Sequence, residues 1–171
     1  MKSSFTNNMS AQFTKAVPVW AEGMSDVMNV TVEFRTVIEK KSEVKLTCAA
    51  ASVYNVYING EFAAAGPARA AHGFYRVDSI NIGDFLKKGE NCVSVRVAGY
   101  NVNSFYTLDQ KPFLCAEIVS DGDVAAVFEQ GSVEADGNDA LACLHGKCRE
   151  PERKHRQHDS IFHFHILSFY F

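Results

Sequence analysis

The chain has 171 residues, of which 47% are hydrophobic and 22% are charged. These fractions are typical of a folded globular protein with one domain, or one domain and a tail, and they argue against a disordered chain. The 17 Lys and Arg residues against 20 Asp and Glu residues give a net charge of −3. This charge argues against an electrostatic nucleic-acid binder. Because no run of about 18 apolar residues occurs, no membrane span is predicted.

The N-terminal segment and the cysteines bear on the cellular compartment. Residues 1–17 contain no apolar stretch of the kind that signal peptides carry, so a cytoplasmic location is expected by default. Three of the five cysteines lie in apolar, strand-like runs, where buried free thiols are the usual interpretation. That favours a reducing compartment. A disulfide between Cys143 and Cys148 remains open.

Alternating apolar and polar residues predict a series of β-strands. The predicted strands cover residues 30–35, 44–48, 54–58, 61–65, 93–97, 113–119 and 124–128. Asn59-Gly60 and Asp121-Gly122 predict tight hairpin turns, since such turns need residues that tolerate positive φ. Residues 82–89 predict a single helical turn, with Asp84 as its N-cap and Gly89 as its end.

Many short strands at intervals of roughly 8–12 residues indicate an all-β fold, an antiparallel β-sandwich or jelly roll. The predicted organisation is an N-terminal extension over residues 1–17, the sandwich over 18–144, and an atypical polar linker with a terminal apolar strand over 145–171.

A series of motifs in the middle of the chain resembles a known domain family. The motifs lie, in order, at residues 54–60 (YNVYING), 66–69 (GPAR), 72–78 (HGFYRVD), 82–91 (IGDFLKKGEN) and 97–106 (VAGYNVNSFY). Together they resemble the N-terminal jelly-roll domain of bacterial α-L-rhamnosidases, over roughly residues 18–135. After that point the sequence departs from the family's pattern.

The resemblance implies a galactose-binding-like jelly roll placed before a separate (α/α)₆ barrel, which carries the acidic pair that hydrolyses the glycosidic bond. This chain alone is therefore not expected to be catalytic. The implied role is carbohydrate recognition or scaffolding, with a rhamnose-containing glycan or a catalytic domain of the same polypeptide as partner. Two alternatives remain: a piece of an active α-L-rhamnosidase, or a purely structural module.

The first candidate binding cluster follows the Gly66-Pro67 dipeptide. It contains Arg69, His72, Tyr75, Arg76 and Asp78. Carbohydrate sites use planar polar groups for paired hydroxyls and an aromatic face for the apolar side of the ring, and this cluster offers both. The structural alternative is favoured here: Arg76 and Asp78 point the same way on a strand and pair with each other, while Tyr75 faces the core.

The second candidate cluster is a segment rich in aromatic and amide side chains. It contains Tyr100, Asn101, Asn103, Tyr106 and Asp109. Loops on a rigid sandwich commonly carry binding residues, whereas the alternative is that the amides cap turns. Asn101, Asn103 and Asp109 would also suit Ca²⁺, which prefers oxygen ligands. A structural interpretation is favoured over calcium, and no other cofactor is expected.

The C-terminal cysteines and histidines invite a zinc interpretation that their spacing does not support. The residues concerned are Cys143, Cys148, His155, His158, His163 and His165. Zinc sites commonly combine a close Cys pair with two His residues separated by three to five others, whereas only two residues separate His155 from His158 and no second partner set is clear. We therefore predict no metal site in this region.

Overall fold

A computed structural model describes residues 13–71, 73–129, 134–135 and 141–145. Within them lie two β-sheets. The six-stranded sheet has the spatial order β4 (Glu61–Gly66), β3 (Tyr54–Ile58), β6 (Glu90–Gly99), β1 (Val30–Glu39), β10 (Leu141–His145) and β9 (Glu134–Ala135). The four-stranded sheet has the order β5 (Asp78–Asn81), β2 (Val44–Ala50), β7 (Leu114–Ser120) and β8 (Asp123–Val127).

The two sheets confirm the predicted all-β sandwich. Every strand pair is antiparallel except β1 with β10, which run parallel. Among the described residues no helix is long and apolar enough to cross a membrane. The galactose-binding-like assignment and the three domain boundaries stay predictions, and residues 146–171 lie outside the described part of the chain.

The core is formed by the inward-facing residues of the two sheets, as the alternation predicts. On the six-stranded sheet, Val32 and Phe34 of β1 face inward beside Val95 of β6, and none is more than 1% exposed. On the four-stranded sheet, Leu46 of β2 lies beside Ile118 of β7, and both are fully buried. Each such side chain contributes about 1.5–3 kcal/mol through removal from water, so this layer holds the sheets together.

Both predicted hairpin turns are present. Asn59 and Gly60 have φ values of 53° and 84°, and Asp121 and Gly122 have values of 52° and 90°. Positive φ at two successive positions is the geometry of a type I′ turn, which matches the twist of the strands it joins. These turns fix the registers of β3 with β4 and of β7 with β8.

The predicted helical turn is a 3₁₀ turn over Gly83–Phe85, and the predicted capping by Asp84 is wrong. Asp84 lies inside the turn, and the Oδ1 atom of Asn81 accepts a hydrogen bond from the Gly83 amide at 3.1 Å. Gly89 has a φ of 92°, as expected of a residue that ends the segment.

The outer face of the four-stranded sheet is covered by the chain itself. Glu117 of β7 is 1% exposed, although it points away from the sandwich core. Its carboxylate accepts hydrogen bonds from three consecutive backbone amides, those of Thr14, Lys15 and Ala16, at 2.9–3.1 Å. Phe13 packs beside them on Ala49 and Cys115. The described part of the predicted N-terminal extension therefore packs on the sandwich.

The Glu117 carboxylate is expected to stabilise the fold in its charged form. Burial alone would raise its pKa, but the three amide donors and Lys15 outweigh this and lower it. A lowered folded-state pKa contributes stability above the unfolded value of about 4.3, and the contribution is lost as the pH falls through the folded value. Glu117→Gln should cost about 2 kcal/mol at pH 7, measured by urea denaturation.

The same measurement at lower pH gives the control. The difference between wild type and Glu117→Gln should shrink as the pH falls from 6 towards 3, whereas exposed Glu43→Gln should change stability little at any pH. A difference that stays constant down to pH 3 would contradict the assigned role of the charge.

Candidate carbohydrate-binding site

A cleft of about 380 Å³ lies at the end of the sandwich where β2 and β6 end and β7 begins. One wall of this cleft, called the main cleft below, is formed by residues 67–71 and 73–76, and the other by residues 100, 101, 106–108, 110 and 112. Six of the ten candidate residues line this cleft: Arg69, Tyr75, Arg76, Tyr100, Asn101 and Tyr106. The fold thus brings together parts of two clusters that are separated in sequence.

The rim of the cleft pairs a cation with an aromatic ring. The guanidinium of Arg69 lies 5.5 Å from the centre of the Tyr106 ring. That ring is 82% exposed, yet its turn is ordered by the Ser104 hydroxyl, which accepts hydrogen bonds from the amides of Tyr106 and Thr107 at 3.1 and 3.0 Å. An exposed ring on an ordered turn is suited to stacking on a ligand.

Tyr75 forms part of the inner surface of the cleft. Its ring packs edge-on against Phe113, with the ring centres 4.7 Å apart, and its hydroxyl lies 3.4 Å from Oε1 of Gln110. The Gln110 side-chain amide in turn donates to the Ala51 carbonyl at 2.6 Å. Tyr75 is therefore half-buried at the sandwich end. It lines the cleft, as the binding hypothesis expects, and it also packs on the sandwich, as the structural alternative expects.

A hydrogen-bond chain connects the two sheets beside the cleft. Tyr54 of β3 donates its hydroxyl proton to Oδ2 of Asp78 on β5 at 2.7 Å, and Nε of Arg76 donates to Oδ1 of Asp78 at 2.9 Å. Burial, followed by the neighbouring Cys48 and Asp78, raises the pKa of Tyr54, so its hydroxyl stays protonated and able to donate. The predicted Arg76–Asp78 pair is thus present, although Arg76 precedes β5 rather than lying on a strand.

Asp78 itself faces a second cleft of about 390 Å³. This cleft is lined by residues of β3, β4 and β5, and Arg76 lines both clefts. The Arg76 side chain therefore stands at the junction of two adjacent depressions, with Asp78 on the far side.

Asn101, Asn103 and Asp109 form hydrogen bonds that order the loop. Oδ1 of Asn103 accepts a hydrogen bond from the Asp109 amide at 2.9 Å, and neither residue lines either cleft. Asn101 lines the cleft, but its amide group donates to the carbonyls of Ser25 and Val27 at 3.0 and 2.7 Å. These bonds to backbone atoms are what the turn-capping alternative predicts for the amide side chains. His72 lies outside the described residues.

The structure does not decide the calcium and zinc hypotheses. Within the described residues, no three or more His, Cys, Asp and Glu side chains form a group that could hold a metal ion. The calcium hypothesis depends also on amide oxygens and stays a prediction. Cys148 and the histidines from residue 155 onward lie outside the described part of the chain.

Solved structures show what this sandwich is similar to. The chain is similar to part of a GH78 family rhamnosidase of Bacillus sp. GL1, with 29% sequence identity and a TM-score of 0.60, over 67% of this chain and 12% of that chain. The resemblance to α-L-rhamnosidases is confirmed. An α-L-rhamnosidase of Streptomyces avermitilis, solved in complex with L-rhamnose, shares the fold at a TM-score of 0.51 and 17% identity, over 72% of this chain and 13% of that chain. No protein-family model and no curated protein matches the chain.

The chain thus spans a small fraction of the length of the rhamnosidases it resembles. The sequence did not predict part of the cleft lining, namely the β2–β3 connection at residues 51–53 and the side chains of Phe74 and Leu108. The order of the strands could have identified these residues, because the residues that follow β2 and β6 and those that precede β7 meet at one end of the sandwich.

The Tyr54–Asp78 hydrogen bond leaves no space for a side chain at position 66. A Cβ atom on Gly66 would lie 2.5 Å from the Tyr54 hydroxyl oxygen, 2.7 Å from Cζ of the same ring and 2.9 Å from Oδ2 of Asp78. Gly66→Ala should therefore destabilise the fold by about 2 kcal/mol, and by less in a Tyr54→Phe background, where the closest atom is absent and the ring carbon remains. Thermal or urea unfolding of the four proteins of this cycle measures the difference.

Gly83→Ala provides the matched control, since its Cβ would lie 3.3 Å from the nearest atom, a side-chain oxygen. It should cost less than Gly66→Ala. Equal costs of Gly66→Ala in the two Tyr54 backgrounds would show that the clash does not involve the hydroxyl.

Proposed function

We propose that this chain is a non-catalytic carbohydrate-recognition domain of a larger rhamnosidase-like glycoside hydrolase, and that it binds its sugar in the main cleft. The observation that supports this most directly is the convergence of Arg69, Tyr75, Arg76 and Tyr106 on one cleft. The small share of the solved rhamnosidases that the chain covers supports its role as one domain of a longer polypeptide.

The chemistry of the cleft suits a pyranose ring. Exposed aromatic rings offer an apolar face to the C–H side of a sugar, and guanidinium and amide groups bind pairs of hydroxyls. L-rhamnose has a methyl group in place of a hydroxymethyl group, and this group suits the apolar part of the cleft at Phe74 and Leu108. An open cleft of this kind is expected to bind a monosaccharide in the millimolar range.

The lining of the cleft supports a non-catalytic role. Glycoside hydrolysis in most families needs two carboxyl groups placed about 5–9 Å apart across the scissile bond. Among the described residues that line the main cleft there is no Asp or Glu side chain. Hydrolysis is accordingly assigned to another part of the longer polypeptide.

A second candidate function is scaffolding of a catalytic domain of the same polypeptide. Exposed apolar side chains gather at the cleft end of the sandwich, among them Phe74, Phe105 and Leu108, with exposures of 53%, 101% and 48%. Exposed apolar groups that lie together commonly mark contact surfaces. Sugar binding by the chain alone distinguishes recognition from scaffolding.

Titration of the chain with L-rhamnose, followed by chemical shifts or calorimetry, tests the proposal. Wild type should show saturable binding, and Tyr106→Ala should weaken it at least about fivefold through loss of stacking, which is worth roughly 1 kcal/mol or more. Phe105→Ala is the matched control, because Phe105 is the neighbouring exposed aromatic and does not line the cleft.

Three further outcomes are decisive. Absence of saturation up to tens of millimolar L-rhamnose, with and without Ca²⁺, would favour scaffolding. Equal losses in Tyr106→Ala and Phe105→Ala would place the site elsewhere on the loop. Hydrolysis of an aryl rhamnoside by the purified chain would contradict the non-catalytic assignment.

A further inference from the structure

The charged residues that line the main cleft have one sign. They are Arg69 and Arg76, and no acidic side chain lines the cleft among the described residues. This is unlike the chain as a whole, whose net charge is −3. Two guanidinium groups without a lining carboxylate form a charge pattern that favours an anionic ligand.

Asp78 accepts only one hydrogen bond from Arg76. The bond comes from Nε at 2.9 Å, so the ion pair is not bidentate. Both Asp78 oxygens are occupied, one by Arg76 and the other by the Tyr54 hydroxyl. The terminal amino groups of Arg76 have no hydrogen-bond partner among the described residues, and the side chain is 56% exposed.

Arg69 is similarly ordered without being neutralised. The Tyr106 ring lies against the guanidinium, and within the described residues no carboxylate pairs with Arg69. A cation–π contact at this distance does not use the N–H donors of the guanidinium, so they remain available to a ligand. Two oriented guanidinium groups with free donors thus line one cleft.

We propose that the cleft selects an acidic sugar, a uronic acid residue of a glycan, through its carboxylate. This proposal rests on the proposed function and specifies the ligand of the same site. A planar carboxylate matches the two parallel donors of a guanidinium and makes charge-assisted hydrogen bonds that a hydroxymethyl group cannot make. Asp78 holds Arg76 in place through the hydrogen bond from its Nε atom.

The test compares sugars that differ only at this group. Calorimetric titrations use D-galacturonate against D-galactose and D-glucuronate against D-glucose, with L-rhamnose as the reference for the proposed function. At low salt and pH 7, at least one uronate should bind about tenfold more tightly than its neutral counterpart. The preference should shrink in 1 M salt, where charges are screened within about 3 Å.

Variants locate the preference within the cleft. Arg76→Gln and Arg69→Gln should each reduce the ratio of uronate to neutral-sugar affinity several-fold, and Arg76→Lys should keep only part of it, because a lysine lacks the paired donors. Lys88→Gln removes the same charge from the opposite end of the sandwich and should leave the ratio unchanged. Unfolding curves confirm that each variant is folded.

The outcomes separate the two proposals. Binding of L-rhamnose without any preference for a uronate overturns the acidic-sugar inference and leaves the proposed function standing. Failure of all five sugars to bind overturns both. A uronate preference that persists in both Arg→Gln variants shows that other residues bind the carboxylate, and this result also overturns the inference.

Discussion

The hydrogen bond between Tyr54 and Asp78 is the contact on which the cleft end of this sandwich depends. Tyr54 belongs to the six-stranded sheet and Asp78 to the four-stranded sheet, so the bond joins the layers where the apolar core ends. A buried hydroxyl needs a partner, and Asp78 supplies it while its other oxygen holds Arg76. Gly66 leaves the space that the bond occupies. One contact thus serves both the fold and the site.

The four arginines in the described part of the chain fall into two groups with different electrostatic roles. On the outer face of the six-stranded sheet, Glu33 bridges Arg35 and Arg96 with N–O distances of 3.0 Å to each. Burial would raise the pKa of Glu33, but the two arginines lower it, so the carboxylate stays charged and satisfies both partners. Within the described residues, Arg69 has no carboxylate partner, and Asp78 accepts one hydrogen bond from Arg76 without itself lining the main cleft.

Local patterns were sufficient to predict most of the described strands. Alternation identified β1, β2 and β6, and the Asn59-Gly60 and Asp121-Gly122 dipeptides identified two turns, because strand faces and type I′ turns are determined by neighbouring residues. Strands β9 and β10 were missed. β10 is a parallel partner of β1, more than 100 residues away in the chain, so local alternation carries little information about it.

The site was less predictable for a related reason. The sequence placed an Arg76–Asp78 pair correctly, since it depends on two nearby residues. The capping role of Asn101 depends on where the distant residues Ser25 and Val27 lie, and that of Asn103 depends on how its own loop folds back to Asp109. The packing of residues 13–16 on Glu117 is likewise nonlocal, and a glutamate in an apolar strand was the available sign that something covers that face.

The cleft walls are ordered, although the cleft is expected to bind a single sugar weakly. Ser104 and Gln110 hold the loop by bonds to backbone atoms, so little conformational entropy should be lost when a sugar binds. The cleft is nevertheless open, and a single sugar offers few atoms. Under the proposed function, weak affinity is adequate, because a domain joined to a catalytic barrel acts at a high effective concentration. A modest preference at Arg69 and Arg76 would then decide which part of a long glycan stays near the catalytic domain.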